Sequence, residues 1–459
     1  MNRLILSLLL GSTILAAPAA GLAAEKALPG GLAKAVGDLL PPDFAGFPAG
    51  TDQVEVSFLC KRDAGVFRVE WKFERESGGT LALKGMGVER VEEPPEGMVF
   101  PEKTPAESPS EALKAALLAM QERSVEKLRP YLDPGEAKGL EKGGQELFLK
   151  MEEDLAKEGM TLDAIVKNYL PRSLALPARC NKLGLEYSFP GRSGGKDGAF
   201  VIEASWILPA EGAAHWTIDD FRPKWKDKQI APAAGKDGVA PDGLRKLVAE
   251  VPLPDAGGFP AGTDRATIQC VFCKGGKVYE AEVSLRPAGE KGPLFLKELE
   301  IGPRDGLPEG LKSPSAPLAE SALESLRGML SSMKTLEKEK MARYISAKDR
   351  EDFEETFARG IQELKALLEK QKERKGYDAA ETALANLPST LLAPAGASRF
   401  KLSFAFPMEV RGEKGTFRFN AEMIIDDPSL DHWVVGDLDM DFDKAEAEEP
   451  GGEKGKEGE

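Results

Sequence analysis

The chain contains two histidines, His215 and His432, and each stands immediately before a tryptophan, Trp216 and Trp433. Imidazole is the side chain whose charge changes nearest neutral pH, so it is the first candidate for proton transfer. A general base needs a carboxylate to orient it and a nucleophile within hydrogen-bond reach. Asp431 adjoins His432, whereas no carboxylate adjoins His215. The expected role of both is therefore polar, at the edge of a strand; the alternative is an enzyme whose pocket uses His215 or His432 with nearby carboxylates.

Asp437, Asp439, Asp441 and Asp443 alternate with Leu438, Met440 and Phe442, so a strand here carries four carboxylates on one face. Asp437, Asp439 and Asp441 are the candidate metal ligands, because calcium takes oxygen ligands at alternating positions. A calcium loop wants glycine at the sixth place, where Phe442 stands, although Glu448 falls at the twelfth. A solvated edge strand is the expected reading, and a calcium-dependent surface module a further alternative. The copy-one equivalents are Asp220, Arg222, Lys224 and Lys226, a reversal of sign that would let one face attract the other. No Gly-x-Ser-x-Gly, His-Glu-x-x-His or phosphate-cradling glycine-rich lysine motif occurs, and no cofactor is expected.

Four cysteines remain: Cys60, Cys180, Cys270 and Cys273. Outside the cytoplasm they allow three full connectivities. Cys270 and Cys273 lie three apart on an alternating strand and so point to opposite faces, whereas a redox pair wants a helix start. Packing or a structural bridge is expected of them.

These residues are positioned by a tandem duplication. Gly46-Phe47-Pro48-Ala49-Gly50-Thr51-Asp52 returns unchanged as Gly258-Phe259-Pro260-Ala261-Gly262-Thr263-Asp264. The offset is 212 at the loop, 213 where Tyr131 meets Tyr344, and 217 where His215-Trp216 meets His432-Trp433. Length changes fall between the aligned runs, where surface loops tolerate insertion. Cys60 matches Phe272, Cys180 matches Ala397, Cys270 matches Phe58 and Cys273 matches Lys61, so no cysteine belongs to both copies. The expected organisation is a signal peptide over 1–24, repeat domains over 25–226 and 241–443, a linker over 227–240 and an acidic disordered tail over 444–459.

The signal peptide is read from Arg3, the apolar run Leu4 to Leu15 and the small residues ending Gly21-Leu22-Ala23-Ala24. No later run approaches about 18 apolar residues, so a mature chain without a transmembrane segment, exported to the periplasm or beyond, is expected. Net charge is −15, from 61 basic and 76 acidic residues, with no basic stripe for phosphates, which excludes nucleic acid as an expected partner. The expected partner is a protein or a small apolar ligand.

Val54, Val56, Phe58 and Cys60 alternate with polar residues, and a turn at Asp63-Ala64-Gly65 leads to Phe67, Val69, Trp71 and Phe73, which predicts a hairpin. Leu81 to Val88 supplies a third strand. Helices are expected over 110–131, with Ser110 as N-cap, and over about 139–170. The counterpart of the second carries the stripe Phe353, Phe357, Ile361, Leu364, Leu368. Three strands close each copy: Leu183 to Phe189, Phe200 to Leu208 and Trp216 to about Lys226, then Phe400 to Phe406, Phe417 to Ile425 and Trp433 to about Asp443. The expected class is α+β: two tandem homologous domains, each an antiparallel sheet of about six strands packed with two to three helices. The seven-residue loop is expected to be a turn, a recognition loop being the alternative.

The run Ser108-Pro109-Ser110-Glu111-Ala112-Leu113 through Val125-Glu126-Lys127-Leu128-Arg129-Pro130-Tyr131-Leu132 resembles the opening helix of secreted nuclear transport factor 2-like and cystatin-like domains. The resemblance covers about 105–226 and 316–443. It implies a curled sheet enclosing an apolar pocket in each copy, in domains that bind or scaffold more often than they catalyse. The candidate ligand-binding residues are Phe47, Trp71, His215, Trp216, Phe259, His432 and Trp433, and the expected function is that of an exported non-enzymatic binding or scaffold protein.

Overall fold

The computed structural model describes residues 44–444 apart from 63–64, 77–80, 95–97, 104, 175, 177, 210–212, 229–251, 288–293, 356 and 358–375. The signal peptide, most of the linker, the Ile361, Leu364 and Leu368 part of the helical stripe and all but the first residue of the tail lie outside the described residues. Two compact units divide the chain: a first of residues 44–252 and 297–303, and a second of residues 253–296 and 304–444.

In the first unit a short strand β1 (Phe44–Ala45) precedes β2 (Gln53–Arg62), β3 (Gly65–Arg75) and β4 (Leu81–Val91). The alternation sets the register, with Val56 opposite Trp71 and Phe58 opposite Val69. One slip would turn these apolar side chains into water, which is what fixes the pairing. Trp71 is fully buried and packs edge-on against Phe58 and Phe73. Further strands are β5 (Ser173–Leu174), β6 (Cys180–Ser193), β7 (Lys196–Ile207) and β8 (Thr217–Lys226).

The helix Pro109–Gln121 buries Leu113 and Leu117 and is capped by Ser108 rather than the expected Ser110. Proline suits the first helical position, and Glu111 three residues on closes a capping box with Ser108. Ser110 instead turns inward and donates to the carbonyl of Pro171 at 2.8 Å. The second helical stretch is broken. A helix Pro134–Lys157 stops at Gly159, whose φ is 76°, and a short turn Leu162–Ala164 runs into one π-helical turn, Ile165–Tyr169.

The second unit has β9 (Asp255–Gly257), β10 (Arg265–Lys274), β11 (Lys277–Pro287) and the beginning of β12 (Leu294–Arg304), then β13 (Thr390–Leu392), β14 (Ala397–Val410), β15 (Glu413–Ile424) and β16 (Val434–Lys444). Its helix Ala322–Thr335 has the same capping box, Ser321 with Glu324, and buries Leu326, Met329 and Leu330. The helices Lys338–Arg343 and Ala379–Asn386 accompany it. Residues 297–303 of β12 belong with the first unit, where Leu299 stands opposite Val88 and Ile301 opposite Met86.

That pairing corrects the expected fold class. The long strands are hydrogen-bonded in the order β16-β15-β14-β10-β11-β12-β4-β3-β2-β6-β7-β8, one antiparallel sheet of 12 strands. The fold is mostly β, with 45% of the described residues in strands against 24% in helices, not two tandem α+β domains with a sheet of about six strands each. Alternation identifies a strand and its buried face, but the N–H and C=O groups along its edge accept any partner of suitable twist.

The repeated seven-residue loop is built alike in both units. Gly46 and Gly50, and Gly258 and Gly262, have φ between 66° and 84°, a region glycine enters without strain. Thr51 and Thr263 donate to the carbonyls of Pro48 and Pro260 at 2.7 Å. No described helix is long and apolar enough to cross a membrane.

Candidate functional site

Each histidine lies in a cluster whose other members the repeat also aligns. In the first unit Nδ1 of His215 is 2.6 Å from Oε2 of Glu107, and the Tyr131 hydroxyl donates to Oε1 of the same carboxylate at 3.1 Å. The Tyr131 and His215 rings meet edge-on at 5.3 Å. Glu107 comes from the turn before the helix cap, Tyr131 from a 3₁₀ turn at Arg129–Tyr131, and His215 from the approach to β8. The His215 side chain is 42% exposed. Burial first, then the charge of Glu107 and its hydrogen bond, hold the Tyr131 phenol above its ordinary range.

In the second unit Glu320, Tyr344 and His432 take the same places with different bonds. The Tyr344 hydroxyl still donates to Glu320, at 3.3 Å, and its ring still meets the histidine edge-on, at 5.7 Å. Arg343 occupies the place of Pro130 and binds Oε1 of Glu320 at 2.7 Å. Ser325 donates to Oε2 at 3.1 Å. Asp431 occupies the place of Ala214 and takes Nδ1 of His432 at 2.7 Å, while Nε2 of that ring donates to the Arg343 carbonyl at 2.8 Å. The hydrogen bond from His432 is the main reason that the Asp431 carboxyl lies below its usual range. His432 is thus a buried brace, bonded at both nitrogens.

Beside this second cluster a groove of about 420 Å³ runs between the segment 314–322 and the loop 392–397. Pro314, Pro317, Leu318, Leu392 and Pro394 line it together with Trp433, whose indole is 2% exposed. Leu392, half exposed, is one of three large apolar residues that stand open to solvent among the described residues. Glu320 is the one charged residue on the wall, and both its oxygens are engaged.

The structure separates the remaining candidates from this site. Phe47 and Phe259 are 4% exposed and pack on Tyr187 and Phe404, so the shared loop anchors itself rather than presenting an aromatic ring. Trp71 and Trp216 are 1% exposed, in the core of the first unit. Asp437, Asp439 and Asp441 stand exposed on β16, opposite Glu422, Asn420 and Arg418 of β15, while Arg418 bridges to Asp443 at 2.8 Å. Among the described residues no three His, Cys, Asp or Glu side chains gather as metal ligands. The basic residues of β8 are spent within their own unit: Lys224 on Glu203 at 2.8 Å and Arg222 on Asp220 at 2.9 Å.

Glu107 and Glu320 escape a motif search because neither is near its histidine in sequence. The repeat offset of 213 that aligns Tyr131 with Tyr344 also aligns these two glutamates, and that was the available signal. No protein-family model, no curated protein and no solved structure matches the chain.

Proposed function

We propose that the chain is an exported, non-enzymatic binding protein that takes a small apolar ligand in the groove over Trp433. The observation that carries this reading is the groove wall: mostly proline, leucine and alanine, with Ser315, Ser321 and a single carboxylate, Glu320, whose oxygens are already bonded to Arg343, Ser325 and Tyr344. Concave, mostly apolar sites with few convergent polar groups are the usual form of small-molecule pockets, and a carboxylate ion-paired to an arginine is poorly placed for acid–base work. Export rests on the sequence alone, on Arg3, Leu4 to Leu15 and the small residues before Ala24. The test is a thermal melt of the mature chain against medium-chain alcohols and small aromatic compounds. A ligand at about 100 times its Kd adds about 2.7 kcal/mol, or roughly 5–10 °C for a unit of this size. Leu392→Asp should abolish the rise; a rise that survives it, or none with any compound, sinks the reading.

A second reading has one observation in its favour. His215 is oriented by Glu107, half exposed, and has no other described group bonded to its ring, which is the arrangement of a histidine–carboxylate base. Hydrolysis of an ester panel that disappears in His215→Ala would favour it over simple binding.

A further inference from the structure

Cys60 and Cys180 stand directly opposite one another on β2 and β6, next to a register shift between Phe58 and Cys60. Both are completely buried. Directly opposed residues of an antiparallel pair have Cα atoms about 4.5–5.5 Å apart, inside the roughly 4.4–6.8 Å that a disulfide spans. The repeat supplies the second observation. Phe272 and Ala397, the aligned residues of the other copy, are themselves opposite one another on β10 and β14, at the same kind of register shift. One copy therefore fills this paired position with Phe and Ala, and the other with two cysteines, where either cysteine alone would leave a void or a lone thiol.

From this coincidence of pairing, burial and joint replacement we infer that Cys60 and Cys180 are a disulfide-forming pair, and that Cys270 and Cys273 remain thiols. Cys270 faces Ala281 and Phe400, and Cys273 faces Val278, so neither has a cysteine across the ladder. Three residues along a strand, about 10 Å, is beyond the reach of a bridge between them. The bond forms by exchange with an external disulfide, R–S–S–R. One of the two thiolates attacks one of its sulfurs and expels R–S⁻; the other, having lost its proton, attacks the cysteine sulfur of the mixed disulfide and expels the second. Two thiols are oxidised and one external disulfide is reduced to two R–SH. In the folded unit the Cys180 thiol donates to Cys60 and holds its pKa down, with Arg62 adding to the effect, whereas burial pushes Cys180 up. Because neither sulfur is exposed in the folded unit, exchange belongs to folding, before β2 and β6 close over the pair. The inference is independent of the groove.

The experiment is to refold the full chain in a reduced/oxidised glutathione couple, quench with an alkylating agent under denaturing conditions and map the peptides by mass. Two alkylated thiols, at Cys270 and Cys273, and a Cys60–Cys180 linked peptide are expected. The bridge closes a loop of about 120 residues, so reduction should lower the melting temperature by roughly 10 °C. Cys60→Phe/Cys180→Ala, which installs the pair the other copy uses, should fold and be insensitive to reductant. Four alkylated thiols, a bridge to Cys270 or Cys273, or an equal response of the two proteins to reductant overturns the inference.

Discussion

His215 bonds to Glu107 across 108 residues of sequence, whereas Glu320, the same residue one repeat later, has been taken by Arg343 and has left its histidine to Asp431. Two differences between the copies suffice for the exchange: Arg343 in place of Pro130 brings a guanidinium that a carboxylate prefers to an imidazole, and Asp431 in place of Ala214 gives the displaced ring an acceptor. The half-exposed histidine and the bonded brace are thus one design with two sets of neighbours.

Tyr131 reports on the first cluster. Its phenol ionises late because of burial, the Glu107 charge and the hydrogen bond to Glu107. Glu107→Gln removes the charge and leaves only a weaker, neutral acceptor for the hydroxyl, so the phenolate absorbance near 295 nm should begin to rise at lower pH than in the native chain. An unchanged tyrosine titration would show that Glu107 does not face that hydroxyl.

The capping boxes should show in the acid limb of stability. Glu111 and Glu324 are held below their usual range, first by the backbone N–H of Ser108 and of Ser321 and then by the serine hydroxyls. A carboxyl lowered on folding contributes stability that is present above its unfolded value, 4.5, and is lost as pH falls through the lower folded value. Ser108→Ala should cost about 1 kcal/mol at pH 7 and less at pH 3, measured by urea melts. An equal cost at both values would contradict the linkage.

Trp71 is buried with an indole N–H that has no hydrogen-bond partner among the described residues. Trp71→Phe removes that orphan donor along with some volume, and should cost about 1 kcal/mol, against about 3–5 kcal/mol for Trp71→Ala. Denaturant midpoints of the two variants decide it; a phenylalanine variant as unstable as the alanine one would mean that the N–H is satisfied.

Glycines divide by backbone conformation. Gly46 has φ 72°, and an added Cβ would lie 2.6 Å from Cβ of Arg172; Gly139 is helical with open space around it. Gly46→Ala should destabilise by about 1–2 kcal/mol, while Gly139→Ala should stabilise by roughly 0.5–1 kcal/mol. Equal signs in chemical melts would refute the account.

The sequence made local structure readable and long-range partnership obscure. Val54 to Phe73 reads as a hairpin because alternation is a local property with a two-residue period, and the structure has that hairpin. That Leu299 lies opposite Val88 is invisible, since both strands carry a good apolar face and nothing in either names its neighbour. The cap moved from Ser110 to Ser108 because the proline between them and Glu111 outweigh the nearer serine. Trp433 is marked by its place in the repeat, whereas Leu392 and Pro394, which complete the groove, come from a loop about forty residues earlier that carries no such mark.

Val435 at the beginning of β16 donates to the carbonyl of Tyr344, so the chain covers that part of its own strand edge. Beyond it the edge carries Asp437, Asp439, Asp441 and Asp443. A second molecule adding a strand there, in antiparallel register, would have to bring its own carboxylates within about 5 Å of these. The row of aspartates that resembles an ion site thus opposes pairing of this edge with the same edge of a second copy, and acid strong enough to neutralise it would remove that repulsion.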